Sequence, residues 1–249
     1  MLKLPRFLEH EPLIEASFEV RLGDVVASLA DTLPSLLFQE IDPKPTIEWF
    51  PAAGIPLKLR EKDRSLVFMP AVRLKWEKYS ISVGARNIVI SCKLPYPKWQ
   101  EFKNVIVDVT ERISQLVEAK VESYSIRYVN IIAAQTLSEQ IRKINMDIVF
   151  GDVKVESDHI NLKIQRSEDG IVHNFVVVTN AEGTLPNGDK VLGIVVDIDS
   201  VCSVDDSPNL ADFSGGFQQD LEKLKQANKA KFFKCLTEPT LKEMRPTYE

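Results

Sequence analysis

A chain of 249 residues, 44% apolar and 27% charged, is long enough to bury a core without disulfides or metal and too apolar to remain disordered. Its 31 basic and 36 acidic residues, a net charge of −5, are interspersed, which disfavours general binding to a nucleic-acid backbone. Three cysteines, Cys92, Cys202 and Cys235, stand far apart in apolar surroundings and read as buried small hydrophobes of a reducing compartment.

In chain order, the segment 13–22 alternates, with Ile14, Ala16, Phe18, Val20 and Leu22 on one face and Glu15, Ser17, Glu19 and Arg21 on the other. That is the pattern of a strand with one wet side. Asp24 is placed to cap a helix carrying Val25, Leu29, Leu33 and Leu36, which Pro34 must kink or shorten. Pro43, Pro45, Pro51 and Pro56 then forbid long regular structure. Short strands are expected over 57–59, 66–70 and 73–76, followed by a hairpin over 79–92 with turn chemistry at Gly84 and Asn87. Arg60, Lys62 and Arg64 alternate with Glu61 and Asp63 and read as a solvated hairpin tip. After Pro95 and Pro97, the residues Trp99, Phe102, Ile106, Val109, Ile113 and Leu116 step by three and four along a helix.

A similar order follows. A strand over 122–133 puts Tyr124, Ile126, Tyr128 and Ile132 on one face, and a short helix is expected over 138–145. Strands over 153–165, 171–179 and 191–201 are separated by turns at Glu168-Asp169-Gly170 and Pro186-Asn187-Gly188-Asp189. A long helix over 212–236 aligns Phe213, Phe217, Leu221, Leu224, Phe232 and Cys235. Strand, short helix, meander and long helix therefore occur twice, alike in pattern and not in identities. The expected fold is α+β, with two pseudo-repeated halves, 1–121 and 122–249, each an antiparallel sheet curled around its long helix. Whether the halves share one continuous sheet or pack as two domains is left open by the pattern.

Chemistry-bearing signatures are sparse. There is no G-x-x-x-x-G-K-[ST], no G-x-G-x-x-G and no G-x-S-x-G, so no nucleotide cofactor is expected. Ser214-Gly215-Gly216 reads as a joint ahead of a helix capped by Asp212. With a turn centred on Asp169, His159 would face Val178 and His173 would face Ile164, too far apart to share a metal. Asp197 and Asp199, two apart on one strand, point to one face and are expected to meet cations from neighbouring strands rather than a metal ion. In Arg127-Tyr128-Val129-Asn130 a guanidinium stands in an apolar strand and demands an acceptor, with Glu15, Glu19 and Asp197 as candidates. The candidate ligand-binding set is Arg127, Tyr128, Asn130, Asp197 and Asp199, with a structural ion pair as the competing reading. No residue is singled out as catalytic.

The entry Glu11-Pro12-Leu13-Ile14-Glu15-Ala16, the central Arg127-Tyr128-Val129-Asn130, the strand with Asp197-Ile198-Asp199 and the closing Pro246-Thr247-Tyr248 form a pattern spanning nearly the whole chain. It resembles a family of uncharacterised proteins, scattered sporadically through bacteria and archaea, that begin with P-P-I-x-E-A and carry a central R-Y-x-N. Glu11 stands where that family often has proline. The resemblance implies an intracellular prokaryotic protein, fits a role in mobile or defence-related gene neighbourhoods, and brings no catalytic residues.

Two functional classes follow. One is a non-catalytic module binding a protein or a small ligand; the other is an enzyme of unfamiliar type with a polar site in a groove between the halves. Self-association is compatible with either. The N-terminal residues show no leader-like apolar run and no later stretch nears the roughly 20 residues that cross a bilayer, so a cytoplasmic setting is expected.

Overall fold

The computed structural model describes residues 4–23, 29–63, 66–185 and 187–248. Asp24 and Val25 of the expected first helix, Arg64 and Pro186 lie outside them. The fold is mixed α/β, with a large antiparallel sheet and, among the described residues, seven helices.

Strand β1 (Phe7–Leu8) precedes β2 (Leu13–Leu22), α1 (Leu29–Glu40) and β3 (Thr46–Trp49). A 3-10 turn at Pro51–Gly54 leads to α2 (Leu57–Arg60), β4 (Val72–Trp76), β5 (Tyr79–Val83), β6 (Asn87–Cys92), α3 (Trp99–Leu116) and β7 (Val121–Ala133). Then come α4 (Leu137–Arg142), β8 (Val149–Phe150), β9 (Val153–Lys154), β10 (Asn161–Glu168), β11 (Ile171–Thr184) and β12 (Lys190–Ser203). The chain closes with α5 (Leu210–Gly216), α6 (Gln218–Cys235), α7 (Glu238–Glu243) and β13 (Pro246–Thr247). Nine strands follow one another in the order β10-β11-β12-β7-β2-β6-β5-β4-β3, while β1 pairs with β13 and β8 with β9 as separate ribbons.

The chain divides into two compact units. One is formed by Met1–Glu15, Arg127–Ser200 and Leu224–Glu249, the other by Ala16–Ile126 and Val201–Lys223.

In the second of these, the alternation of β2 buries Ala16, Phe18, Val20 and Leu22. The stripe of α3 covers that face: Thr110 and Ile113 line a small apolar cavity with Phe18, Val20, Ile88 and Ile90. Rings of different elements meet here, with Phe18 and Phe217 at 5.9 Å, Tyr124 and Phe213 at 5.2 Å, and Tyr79 stacked on Phe102 at 6.4 Å between centroids. Such pairs add to the area term that drives burial. Helix α1 runs through Pro34 and buries Leu29 and Leu33 as the spacing predicts, whereas at its end Leu37 is buried and Leu36 is exposed.

Two expected strands here are not strands. Residues 57–60 form α2, because Pro56 opens a turn whose carbonyl accepts the N–H of Arg60 at 3.2 Å. Residues 66–69 form turns closed by Leu66 N–H to Asp63 O (3.0 Å) and Met69 N–H to Leu66 O (3.0 Å). The expected solvated tip at Arg60 is corrected as well. Arg60 is buried, with its Nε donating to Ile55 O at 3.1 Å.

In the other unit, Ile194, Val196 and Ile198 of β12 pack with Phe232 and Phe233 of α6. Short α4 begins in a capping box: Thr136 Oγ1 accepts from Glu139 N–H at 3.3 Å and Glu139 Oε2 accepts from Thr136 N–H at 3.0 Å. These backbone bonds hold the Glu139 carboxyl below its usual range. The single strand expected over 153–165 is two, β9 and β10. The single helix expected over 212–236 is also two, α5 and α6, divided after Gly215 and Gly216, whose backbone freedom weakens the helix there. Asn209, not Asp212, occupies the cap position of α5. Among the described residues no helix is long and apolar enough to cross a membrane.

Candidate functional site

Successive residues of a strand face opposite sides, and β7 therefore separates Arg127 from Tyr128 and Asn130. Arg127 shares its side with Asp197. Its Nε lies 2.9 Å from Asp197 Oδ1 and its Nη2 2.7 Å from Oδ2, a two-pronged match of guanidinium fork and carboxylate. Nη1 stands 3.8 Å from Glu15 Oε1, outside hydrogen-bond range. The Asp197 side chain is 10% exposed and that of Arg127 45%, so the carboxylate faces inward and the outer edge of the guanidinium meets solvent. Hydrogen bonding to Asp197 raises the already high pKa of Arg127, burial opposes this, and the charges of Asp197, Glu15 and Asp199 add to the rise. The cation is therefore permanent, and three carboxylates surround it.

Tyr128 and Asn130 look the other way. Asn130 is buried and its Nδ2 donates to Val196 O at 3.4 Å. Lys225 of α6 places Nζ 4.1 Å from the centroid of the Tyr128 ring, a cation resting on a π face. The five residues singled out from the sequence thus form two groups. Arg127, Asp197 and Asp199 lie on one side of the sheet, Tyr128 and Asn130 on the other. Glu19, the remaining carboxylate considered for Arg127, instead accepts from Arg21 Nη2 at 2.9 Å and Asn87 Nδ2 at 2.6 Å.

The histidines are placed differently than a turn centred on Asp169 predicts. Asp169 and Gly170, with φ of 52° and 76°, form a two-residue turn, so Glu168 pairs with Ile171 and His173 lies opposite Arg166. His159 precedes β10 and is exposed. His173 is buried with Nδ1 2.8 Å from Ser200 Oγ, which accepts a further bond from Asn228 Nδ2 at 2.9 Å. Burial pushes the His173 pKa down, helped by nearby Lys231 and opposed by Glu168. Among the described residues, no group of three or more His, Cys, Asp or Glu side chains is arranged to hold a metal ion.

The remaining candidates are structural. Ser214 lies inside α5 and donates to Ala211 O at 2.9 Å. All three cysteines are free thiols, and burial pushes those of Cys202 and Cys235 up, away from the reactive thiolate. Asn228 escaped the sequence reading, although a signal existed. It falls four residues after Leu224 and four before Phe232, a polar side chain on an apolar helical stripe. No protein-family model and no curated protein matches this chain.

Proposed function

We propose that this chain is a non-catalytic binding module that docks a basic segment of a partner protein on the strand face bearing Glu15, Arg127, Asp197 and Asp199. The observation that carries the reading is the pairing itself. Arg127 is engaged two-fold by Asp197, and Asn130 and Tyr128 occupy the opposite side, so the polar residues do not converge as acid, base and electrophile would. What the face offers is recognition. The N–H groups of Arg127 Nη1 stand ready for a backbone carbonyl, and the half-exposed Glu15 carboxylate beside it favours lysine or arginine.

In the same reading the protein is cytoplasmic, belongs to the scattered family with P-P-I-x-E-A and R-Y-x-N motifs, and consists of two repeated halves, 1–121 and 122–249, able to self-associate. Support for the repeat comes from α3 and α6, each of 18 residues, α3 following the strands β4 to β6 and α6 following the strands β10 to β12 with α5 between.

Titration with hexalysine tests the proposal, followed by calorimetry and by amide shifts. Binding at about 50 mM salt should disturb the amides of Glu15, Arg127 and Asp199 and weaken as screening rises. Glu15→Gln with Asp199→Asn should weaken it several-fold. Equal binding of hexaglutamate, or hexalysine binding indifferent to the double substitution, would overturn the assignment.

A further inference from the structure

We infer that the β8–β9 ribbon is a second docking element, inserting Phe150 into an apolar pocket of a partner protein rimmed by lysine and arginine side chains. The inference stands on its own residues and not on the face around Arg127.

Large apolar side chains are ordinarily withdrawn from water, and a contiguous exposed group of them marks an interaction site. Phe150 is 83% exposed and Val153 56%, and both sit on one face of a hairpin whose other face carries Val149, 61% exposed. Phe150 pairs with Val153 across the ribbon, so their side chains form one surface beside the turn. Gly151, with φ of 64°, makes that turn, and Val155 N–H to Ile148 O at 3.0 Å closes its base. The ribbon is a sheet of its own, apart from the nine-stranded one. Its conformation is thus specified locally, while its apolar side is left in water.

The surrounding charges choose the occupant. Exposed Asp147, Asp152, Glu156 and Asp158 flank the ribbon, against Lys154, whose Nζ is already 3.3 Å from Glu156. An anionic bilayer would repel this rim, and a second copy of the chain would bring the same carboxylates on a molecule of net charge −5. A basic rim around an apolar pocket is complementary in both respects.

The probe is a fluorescent amphipathic helical peptide of leucine and lysine, read by anisotropy, with a leucine and glutamate peptide of the same pattern as its counterpart. The leucine and lysine peptide should bind, more weakly as salt rises, and Phe150→Ser should weaken it about tenfold, the scale of losing one anchoring aromatic ring. Circular dichroism should show the variant folded, and its binding of hexalysine should be unchanged, which separates this site from the one around Arg127. The inference is overturned if Phe150→Ser binds like the parent protein or if the leucine and glutamate peptide binds equally well. It is equally overturned if anionic vesicles bind in a Phe150-dependent way, or if sedimentation shows a dimer that Phe150→Ser dissolves.

Discussion

The strand face at Arg127 and the ribbon at Phe150 handle conspicuous side chains in opposite ways. Arg127 carries the charge that draws attention in the sequence, and the fold answers it internally with Asp197. Phe150 is one of 12 phenylalanines and draws none, yet the fold leaves it almost wholly in water. A residue type suited to chemistry is not by itself a site. A better guide is interaction capacity left unused after folding, and at Arg127 only the outer edge of the guanidinium has it.

Substitutions can break or sharpen that contrast. Phe102 is completely buried and sets the scale for a ring the fold uses: Phe102→Ala should cost about 4 kcal/mol in urea unfolding. Asp197→Ala leaves Arg127 without its principal acceptor and should cost about 2 kcal/mol, below the value for a fully buried pair because the guanidinium is half exposed. A loss near zero would mean that the pair contributes nothing to the fold.

His173 supplies a pH-dependent case. Its pKa is lowered in the folded state, so below the ordinary imidazole value of about 6.5 the unfolded chain binds the extra proton first. Its contribution to stability is therefore complete above about pH 6.5 and declines as the pH falls from there toward the lowered folded value. In His173→Gln, unfolding free energy should fall less steeply between about pH 7 and 5 than in the parent protein, and parallel profiles would refute the assignment. The smallest effect belongs to Phe150→Ser, which should change stability by less than about 0.5 kcal/mol while weakening the leucine and lysine peptide. A large loss of stability there would show that the ring is used by the fold after all.

How much of this was legible in the sequence depended on how long each pattern ran. The stripe from Trp99 to Leu116 repeats over enough turns to fix α3, and the long alternation in β2, β7 and β12 fixes their facing. Short runs do not carry that information. Leu57-Lys58-Leu59 alternates as a strand would, but three residues fit a helical turn equally well, and Pro56 decides the matter. The register of β10 against β11 differs by two residues from the expected one, because the turn contains Asp169 and Gly170 alone.

At the candidate site, Asp197 and Glu15 near Arg127 were both anticipated, since a guanidinium in a strand limits what can answer it. The opposite facing of Arg127 and Asn130 was available from parity alone. Exposure of Phe150 was not. The segment 153–165 reads as one strand, but residues 155–160 between β9 and β10 are not strand, and the turn at Gly151 and Asp152 folds β9 back on β8 as a ribbon of its own.

A double-mutant cycle over Arg127→Ala and Asp197→Ala, read as unfolding free energy at neutral pH and moderate salt, bears most directly on whether this guanidinium is held within the fold. The geometry predicts a coupling of about 1–2 kcal/mol, with the double variant more stable than the sum of the single losses implies. Additive losses with no coupling would contradict it.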